Sequence, residues 1–126
     1  MDAELKKRLE KDDCGLITYE YVANNVNNKE FAHDVDFLVD NIIRVDRTGQ
    51  FVVSTACYLN AIDKDNYATQ IDRLIKAAIV VDRERAYLAN LASSIWGNDY
   101  KDRAIQLSAS DDNFRRIYKR LYPIGI

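Results

Sequence analysis

The residues with the most obvious chemical potential are a histidine and two aspartates in the first half of the chain. His33, Asp36 and Asp40 are three and four residues apart, which places them on one face of a predicted helix. An imidazole and carboxylates on one face can bind a divalent cation. A strong site needs ligands from a second element, but the corresponding face of the next predicted helix carries Thr69, Asp72 and Lys76. We interpret the face as a solvated acidic surface and predict no metal and no cofactor.

The same histidine restricts covalent catalysis. It is the only histidine in the chain, so any Ser-His-Asp or Cys-His arrangement has to use it. Cys14 precedes Gly15 near a predicted helix start, where a thiolate would be stabilised, but nothing in the sequence places Cys14 near His33. The phosphate-binding, α/β-hydrolase and zinc-protease motifs are all absent from the sequence. We predict no catalytic residues and a protein that is not an enzyme.

Two tripeptides recur in the middle of the chain and carry an acid beside a base. Val-Asp-Arg occupies residues 45–47 and again residues 81–83. An Asp at a helix start accepts hydrogen bonds from unpaired backbone donors, worth about 1 kcal/mol. Each Arg is predicted to pair with a carboxylate of the neighbouring unit; the alternative is a groove that binds a charged ligand. The residues assigned to these caps and ion pairs are Asp46, Arg47, Asp82, Arg83, Asp36 and Asp72.

Basic residues concentrate near the end of the chain. A helix is predicted there, and its polar side carries Arg115, Arg116, Lys119 and Arg120. Such a side can contact the phosphates of a nucleic acid or an acidic protein surface. It is also what a terminal helix docked on the core would expose to solvent, and charge near a helix C-terminus favours that interpretation. Nucleic acid is therefore a possible partner, but a less favoured one.

Tyrosine is the commonest aromatic residue, with eight Tyr against four Phe and one Trp. Its ring gives a large contact area and its hydroxyl tolerates water, which is why interfaces favour it. We predict an interaction surface that combines aromatic residues with an acidic helix. Its members are Tyr58, Trp96, Tyr100, Tyr122, Glu30, Asp34 and Asp40.

An internal duplication supplies the elements that must position these residues. Residues 27–62 align with residues 63–98 at an offset of 36 without gaps, and the matched positions are mostly apolar and helically spaced. Each copy predicts a helix-turn-helix pair. With further helices at both ends, we predict a compact all-α domain of seven or eight helices and no strand. The pairs can stack as a solenoid or close into a bundle.

Composition agrees with one small all-α domain. The chain has 126 residues, of which 48% are hydrophobic and 30% charged, with a net charge of −2. That length fits one domain, residues 1–126. One Pro and four Gly disfavour a turn-rich all-β fold. No apolar stretch approaches the roughly 20 residues of a membrane-spanning helix, so we expect no membrane contact.

Cysteine usage points to the cellular compartment. Cys14 and Cys57 are far apart and lack the spacing of a zinc site or of a disulfide framework. Reduced thiols fit the cytoplasm. We therefore predict a small non-catalytic cytoplasmic protein that binds another protein or itself. The alternatives are a nucleic-acid accessory protein and a ligand-binding protein or enzyme with a pocket between the repeats, which a pocket lined by Arg47, Arg83 or His33 would favour.

Overall fold

The computed structural model describes residues 1–123, and the described part of the chain is helical without strands. The predicted all-α class is confirmed. The helices are α1 (Ala3–Glu10), α2 (Leu16–Asn25), α3 (Phe31–Val45), α4 (Gln50–Asp63), α5 (Ala68–Val81), α6 (Leu88–Trp96), α7 (Ala104–Ser110) and α8 (Asp112–Leu121).

Apolar stripes hold two of the long central helices, α3 and α5, in the core. Residues spaced three and four apart lie on one helix face, and burying that face supplies most of a helix's stability in a folded protein. The buried stripe of α3 includes Phe31, Val35, Leu38, Val39 and Ile42. The buried stripe of α5 includes Ile71, Leu74, Ile75, Ala78 and Ile79.

The helices alternate between two layers. Helices α1, α3 and α5 contact one another in series on one side, and α2, α4, α6 and α8 contact one another in series on the other. The core lies between the layers. This order of contacts is the one that stacked helix pairs produce. The duplication of residues 27–62 and 63–98 stays a prediction.

The C-terminal helix docks through one buried aromatic ring. Phe114 is fully buried, and its ring centroid lies 5.2 Å from that of Trp96, 6.1 Å from that of Tyr100 and 5.5 Å from that of Tyr118. Burial and a hydrogen bond to the Tyr122 hydroxyl raise the pKa of Tyr100 to about 12. Helix α8 therefore closes this end of the core with large side chains.

This packing corrects part of the predicted aromatic surface. Tyr100 is only 6% exposed and is a core residue, so its assignment to an interaction surface is wrong. Trp96 is half-buried, and its Nε1 donates to Asp111 at 3.0 Å. The half-buried Tyr58 donates its hydroxyl to the carbonyl of Ala23 at 3.2 Å. The polar atoms of these side chains therefore form hydrogen bonds inside the molecule.

None of the helices within residues 1–123 has both the length and the apolar character that crossing a membrane requires.

Candidate functional site

Three buried aspartates occupy equivalent places, each where the first helix of a pair turns into the second. Asp12 lies between α1 and α2, Asp46 between α3 and α4, and Asp82 between α5 and α6. Their exposed fractions are 4%, 3% and 1%. Isolated carboxylates are costly to bury, so each must be compensated by hydrogen bonds. We call residues 12–18, 46–52 and 82–88 the first, second and third corners.

The second corner shows how the compensation is made. Asp46 Oδ1 accepts from the backbone N–H groups of Thr48 and Gly49, both at 3.0 Å. Asp46 Oδ2 accepts from those of Phe51 and Val52, both at 2.8 Å. The backbone N–H of Asp46 itself closes the last turn of α3. One residue therefore ends α3 with its backbone and begins α4 with its side chain.

The third corner repeats this arrangement with fewer bonds. Asp82 accepts from the backbone N–H groups of Ala86 at 2.9 Å, Tyr87 at 2.8 Å and Leu88 at 3.0 Å. As in the second corner, the amide six residues after the aspartate is among the donors. The backbone N–H of Asp82 closes the last turn of α5. Asp46 and Asp82 thus hold equivalent places in successive helix pairs.

The first corner has a side-chain donor, as does the second, where Thr48 Oγ1 donates to Asp46 Oδ1 at 3.2 Å. Asp12 accepts from the backbone N–H groups of Cys14 at 3.2 Å, Gly15 at 3.0 Å and Thr18 at 2.8 Å, and from Thr18 Oγ1 at 2.7 Å. Burial alone would raise the pKa of the Asp12 carboxyl, but these hydrogen bonds outweigh it and hold the pKa below its usual value. The ionised form is therefore the one that the fold stabilises.

This pKa shift predicts a dependence of stability on pH. A carboxyl whose pKa is lower in the folded than in the unfolded state stabilises the fold above the unfolded value of about 3.9, and this contribution is lost as the pH falls through the folded pKa. Replacing Thr18 by Val removes one donor, so the pKa of Asp12 rises and the acid-dependent loss becomes smaller. NMR titration of the Asp12 carboxyl carbon measures the pKa, and urea denaturation across the acid pH range measures the loss of stability.

Thr18→Ser keeps the hydroxyl and is the matched control for this titration. We expect it to retain the low pKa of the Asp12 carboxyl. An unchanged pKa in Thr18→Val would show that the Thr18 hydroxyl does not stabilise the ionised carboxyl.

A buried polar chain joins the first corner to α3. The Nδ2 atom of Asn41 donates to Thr18 Oγ1 at 3.0 Å and to the carbonyl of Leu9 at 2.8 Å. Arg44 donates to Asn41 Oδ1 at 2.6 Å and to the carbonyl of Glu10 at 2.9 Å. The guanidinium of Arg44 is thereby bonded within the molecule. Asp12, Thr18 and Asn41 were not among the residues that the sequence singled out.

The corners stack on one another through two glycines. Gly15 has a φ of 106° and Gly49 a φ of 97°, and residues other than glycine rarely adopt such values. A Cβ on Gly15 would lie 3.5 Å from Asp46 Cβ, and a Cβ on Gly49 would lie 3.0 Å from Asp82 Cβ. Each glycine therefore faces the aspartate of the next corner, and the three corners form a row.

Gly49→Ala is expected to lower the free energy of unfolding by about 2–4 kcal/mol, because a positive φ strains alanine and the new Cβ meets Asp82. Urea denaturation measures the loss. Gln50 follows Gly49, is exposed and lies within α4, so Gln50→Ala should change stability by less than about 0.5 kcal/mol. Equal stabilities of the two variants would rule out the contact between corners.

A cavity opens between the second and third corners. It has a volume of about 330 Å³ and is lined by Arg47, Thr48, Val81, Asp82, Arg83, Glu84, Ala86 and Tyr87. Arg47 and Arg83 are both exposed, and within residues 1–123 neither guanidinium forms an ion pair. Two cationic side chains that no carboxylate neutralises by direct contact thus line the same opening, which we call the corner cavity.

The ion pairs expected for these two arginines are absent from this part of the structure. Asp36 accepts from Gln70 Nε2 at 2.9 Å, and Asp72 accepts from Lys76 at 2.5 Å and from Asn113 at 2.7 Å. Asp36 and Asp72 each precede a corner aspartate by ten residues, which is about 15 Å along a helix. Parallel stacking of the pairs keeps that separation between neighbours, so the expected partners lie too far away.

The acidic residues of the predicted interaction surface are also partly engaged. Asp34 accepts from the N-terminal ammonium group at 3.3 Å, and Asp40 forms an ion pair with Arg73. Glu30 is exposed and precedes α3 at its N-cap position, where its side chain makes no capping hydrogen bond. His33 is exposed on the same helix. The acidic face therefore contributes to packing between α3 and its neighbours.

One group of possible metal ligands occurs within residues 1–123, and it lies at the first corner. Ligand atoms of Asp12, Asp13 and Cys14 lie within 4.8 Å of one another. Both carboxylate oxygens of Asp12 already accept hydrogen bonds from the corner, whereas Asp13 and Cys14 are exposed. The corner itself accounts for the position of Asp12.

Two of the four basic side chains on α8 are bonded within the molecule. Arg120 donates to the carbonyl of Ile79 in the last turn of α5 and to that of Asp82, the residue that follows this helix. Arg115 forms an ion pair with Asp112 on the same helix. Arg116 is half-buried, and Lys119 is exposed. Helix α8 therefore presents less free charge than its sequence implies.

Comparison of the chain with family models, curated proteins and solved structures finds no match. The class of protein is therefore set by the fold alone, an all-α domain of paired helices. Its candidate site is the corner cavity between the second and third corners, which is lined by Arg47 and Arg83 and also by Asp82 and Glu84. Its function has to be argued from that geometry.

Proposed function

We propose that this protein is a non-catalytic interaction module that binds an acidic segment of another protein in the corner cavity. The observation that carries the proposal is the joint lining by Arg47 and Arg83, neither of which is ion-paired within residues 1–123. A guanidinium presents donors in a planar fork that matches a carboxylate, so two of them favour an acidic ligand. This moves the proposed surface from the tyrosines and the acidic helix to the corners.

The rigidity of the corners supports binding. The carboxylates of Asp46 and Asp82 fix the backbone on both sides of the cavity. Arg47 and Arg83 follow these aspartates directly, so their backbones are held at a constant separation before a ligand arrives. Preorganisation of this kind lowers the entropic cost of association. We also propose that the helix pair is duplicated, which the equivalent corner hydrogen bonds support. A cytoplasmic location is proposed as well.

The second candidate is a nucleic-acid accessory protein that uses α8. Arg116 and Lys119 are the basic residues of this helix without a hydrogen bond or ion pair among residues 1–123. Binding to phosphates through such a small set would fall steeply with added salt. A pocket for a small anion at the corner cavity is the third candidate, and the same two arginines would serve it.

A charge-matched pair of variants distinguishes the candidates. Arg47→Gln/Arg83→Gln and Arg116→Gln/Lys119→Gln each remove two positive charges, one pair from the corner cavity and the other from α8. Tagged wild-type protein and both variants are used to capture binding partners from host lysate at low and moderate salt, and both protein and nucleic acid are scored. We expect a protein partner that only the corner variant loses.

Two results would count against the proposal. Retention of the same protein partner by the corner variant would move the binding site elsewhere. Nucleic acid captured at low salt, and lost by the α8 variant alone, would favour the second candidate. Circular dichroism of all three proteins checks that the helices are intact.

A further inference from the structure

An apolar groove lies between α3 and α5, next to the corner cavity. The groove has a volume of about 490 Å³ and is lined by Ile43, Lys76, Ala77, Val80 and Val81. Val81 also lines the corner cavity, so the two depressions are neighbours. We infer, resting on the proposed function, that the partner segment is amphipathic, with a carboxylate between Arg47 and Arg83 and an aliphatic side chain in this groove.

The exposure of the groove residues supports an apolar contact. Val80 is 68% exposed. It lies in the last turn of α5, a helix whose other apolar residues are mostly buried. Ile43 and Ala77 are half-buried and border the same space. Contiguous exposed apolar surface beside polar residues is typical of a protein-binding site. A nucleic acid offers no aliphatic side chain to fill such a groove, whereas a peptide does.

The charges around the groove set the direction of the segment. Lys76 and Val80 are four residues apart and share one face of α5. The ammonium of Lys76 lies 2.5 Å from Asp72 Oδ2 and is therefore already neutralised. Arg47 and Arg83, at the other end, form no ion pair within residues 1–123. The acidic end of the segment is thus expected at the corners and the aliphatic end over Val80.

The length of the site determines how long the partner segment has to be. Four residues separate Lys76 from Val80, a distance of about 6 Å along a helix, and Arg83 follows within about 5 Å more. A helical segment of two turns spans this distance. An acidic residue and an aliphatic residue one turn apart then reach both parts of the site, which is the spacing of anchors in helix-in-groove recognition.

The test uses three synthetic helical peptides of equal length titrated into ¹⁵N-labelled protein. The first carries Glu and Leu one turn apart, the second replaces Leu by Ala, and the third replaces Glu by Lys. We expect the Glu-Leu peptide to shift the amides of residues 47–49 and 80–86. It should bind at least about tenfold more tightly than the Glu-Ala peptide, because a single methylene in a hydrophobic pocket is worth about 10–200-fold.

Variants separate the inference from the proposed function. Val80→Ser should abolish the preference for Leu while leaving the Glu-Ala peptide bound as in the wild type. Ile105→Ser is the matched control, because Ile105 is an exposed apolar residue on α7 outside the groove. It should change neither affinity. Arg47→Gln/Arg83→Gln should weaken both acidic peptides.

The possible failures are distinct. Equal affinities for the Glu-Leu and Glu-Ala peptides, or a preference for Leu that survives Val80→Ser, would overturn the amphipathic segment and leave the proposed function intact. Absence of shifts at the corner amides with either acidic peptide, or equal binding of the Glu and Lys peptides, would overturn both.

Discussion

Asp46→Ala is expected to lower the free energy of unfolding by about 3–5 kcal/mol, several times the loss of an ordinary helix cap. The Asp46 carboxylate accepts four backbone hydrogen bonds while only 3% exposed. Alanine leaves these donors without an acceptor, and a buried donor that loses its partner costs about 1–3 kcal/mol. Water can reach part of the vacated space, which keeps the expected total below the sum. Urea denaturation at neutral pH measures the loss.

Two further variants give this measurement its controls. Asp46→Asn keeps one acceptor oxygen and should fall between wild type and Asp46→Ala. Asp40 is an exposed aspartate on α3, paired only with Arg73, so Asp40→Ala should cost less than about 1 kcal/mol. Equal losses for Asp46→Ala and Asp40→Ala would mean that the corner hydrogen bonds contribute little to stability.

Phe114→Ala is expected to cost about 3–5 kcal/mol, because it removes a fully buried ring and leaves a cavity among three other aromatic side chains. Local stability should fall most in α8, which the ring holds against α6. Arg120 on α8 also bonds the last carbonyls of α5, so undocking of α8 exposes that helix end as well. Chemical denaturation measures the total loss, and amide hydrogen exchange shows whether α7 and α8 open first.

Phe37 provides the matched control for this substitution. It is a half-buried Phe on α3, so the same change to Ala removes less buried surface and should cost clearly less. Protection of α8 amides that is as high in Phe114→Ala as in wild type would show that the ring does not anchor the helix.

The fold class could be predicted because it depends on regular patterns. Apolar residues three and four apart recur through α3 and α5, and few Gly or Pro interrupt them. Asp46 and Asp82 stood out because both lie in a repeated tripeptide. Their reach could not be read from spacing, since each carboxylate bonds amides up to six residues ahead. Such a reach depends on how the intervening loop folds.

The sequence did not predict the first corner, because the first corner does not share the offset of the internal alignment. Asp12 and Gly15 precede Asp46 and Gly49 by 34 positions, whereas the gapless alignment used an offset of 36. A search for aspartate followed three residues later by glycine finds both corners. The third corner lacks that signal because Arg85 stands where the glycine would be.

The sequence predicted only part of the candidate site. Recurrence drew attention to Arg47 and Arg83, and a groove for a charged ligand was one of the alternatives. Their expected carboxylate partners were wrong because sequence similarity between two copies does not give the distance between them. Tyr100 was misassigned for a related reason: composition shows that tyrosine is abundant but does not show which rings a short terminal helix must bury.

The difference between the second and third corners gives the row of corners a polarity. Gly49 leaves room for the aspartate of a following corner, whereas Arg85, with a φ of 57°, donates to the carbonyl of Arg120 on α8. An added helix pair could therefore be accommodated where a glycine faces the next aspartate, but not after the third corner. Variation in the length of such a protein is expected by insertion of whole helix pairs ahead of Asp82, with α7 and α8 kept as a fixed end piece.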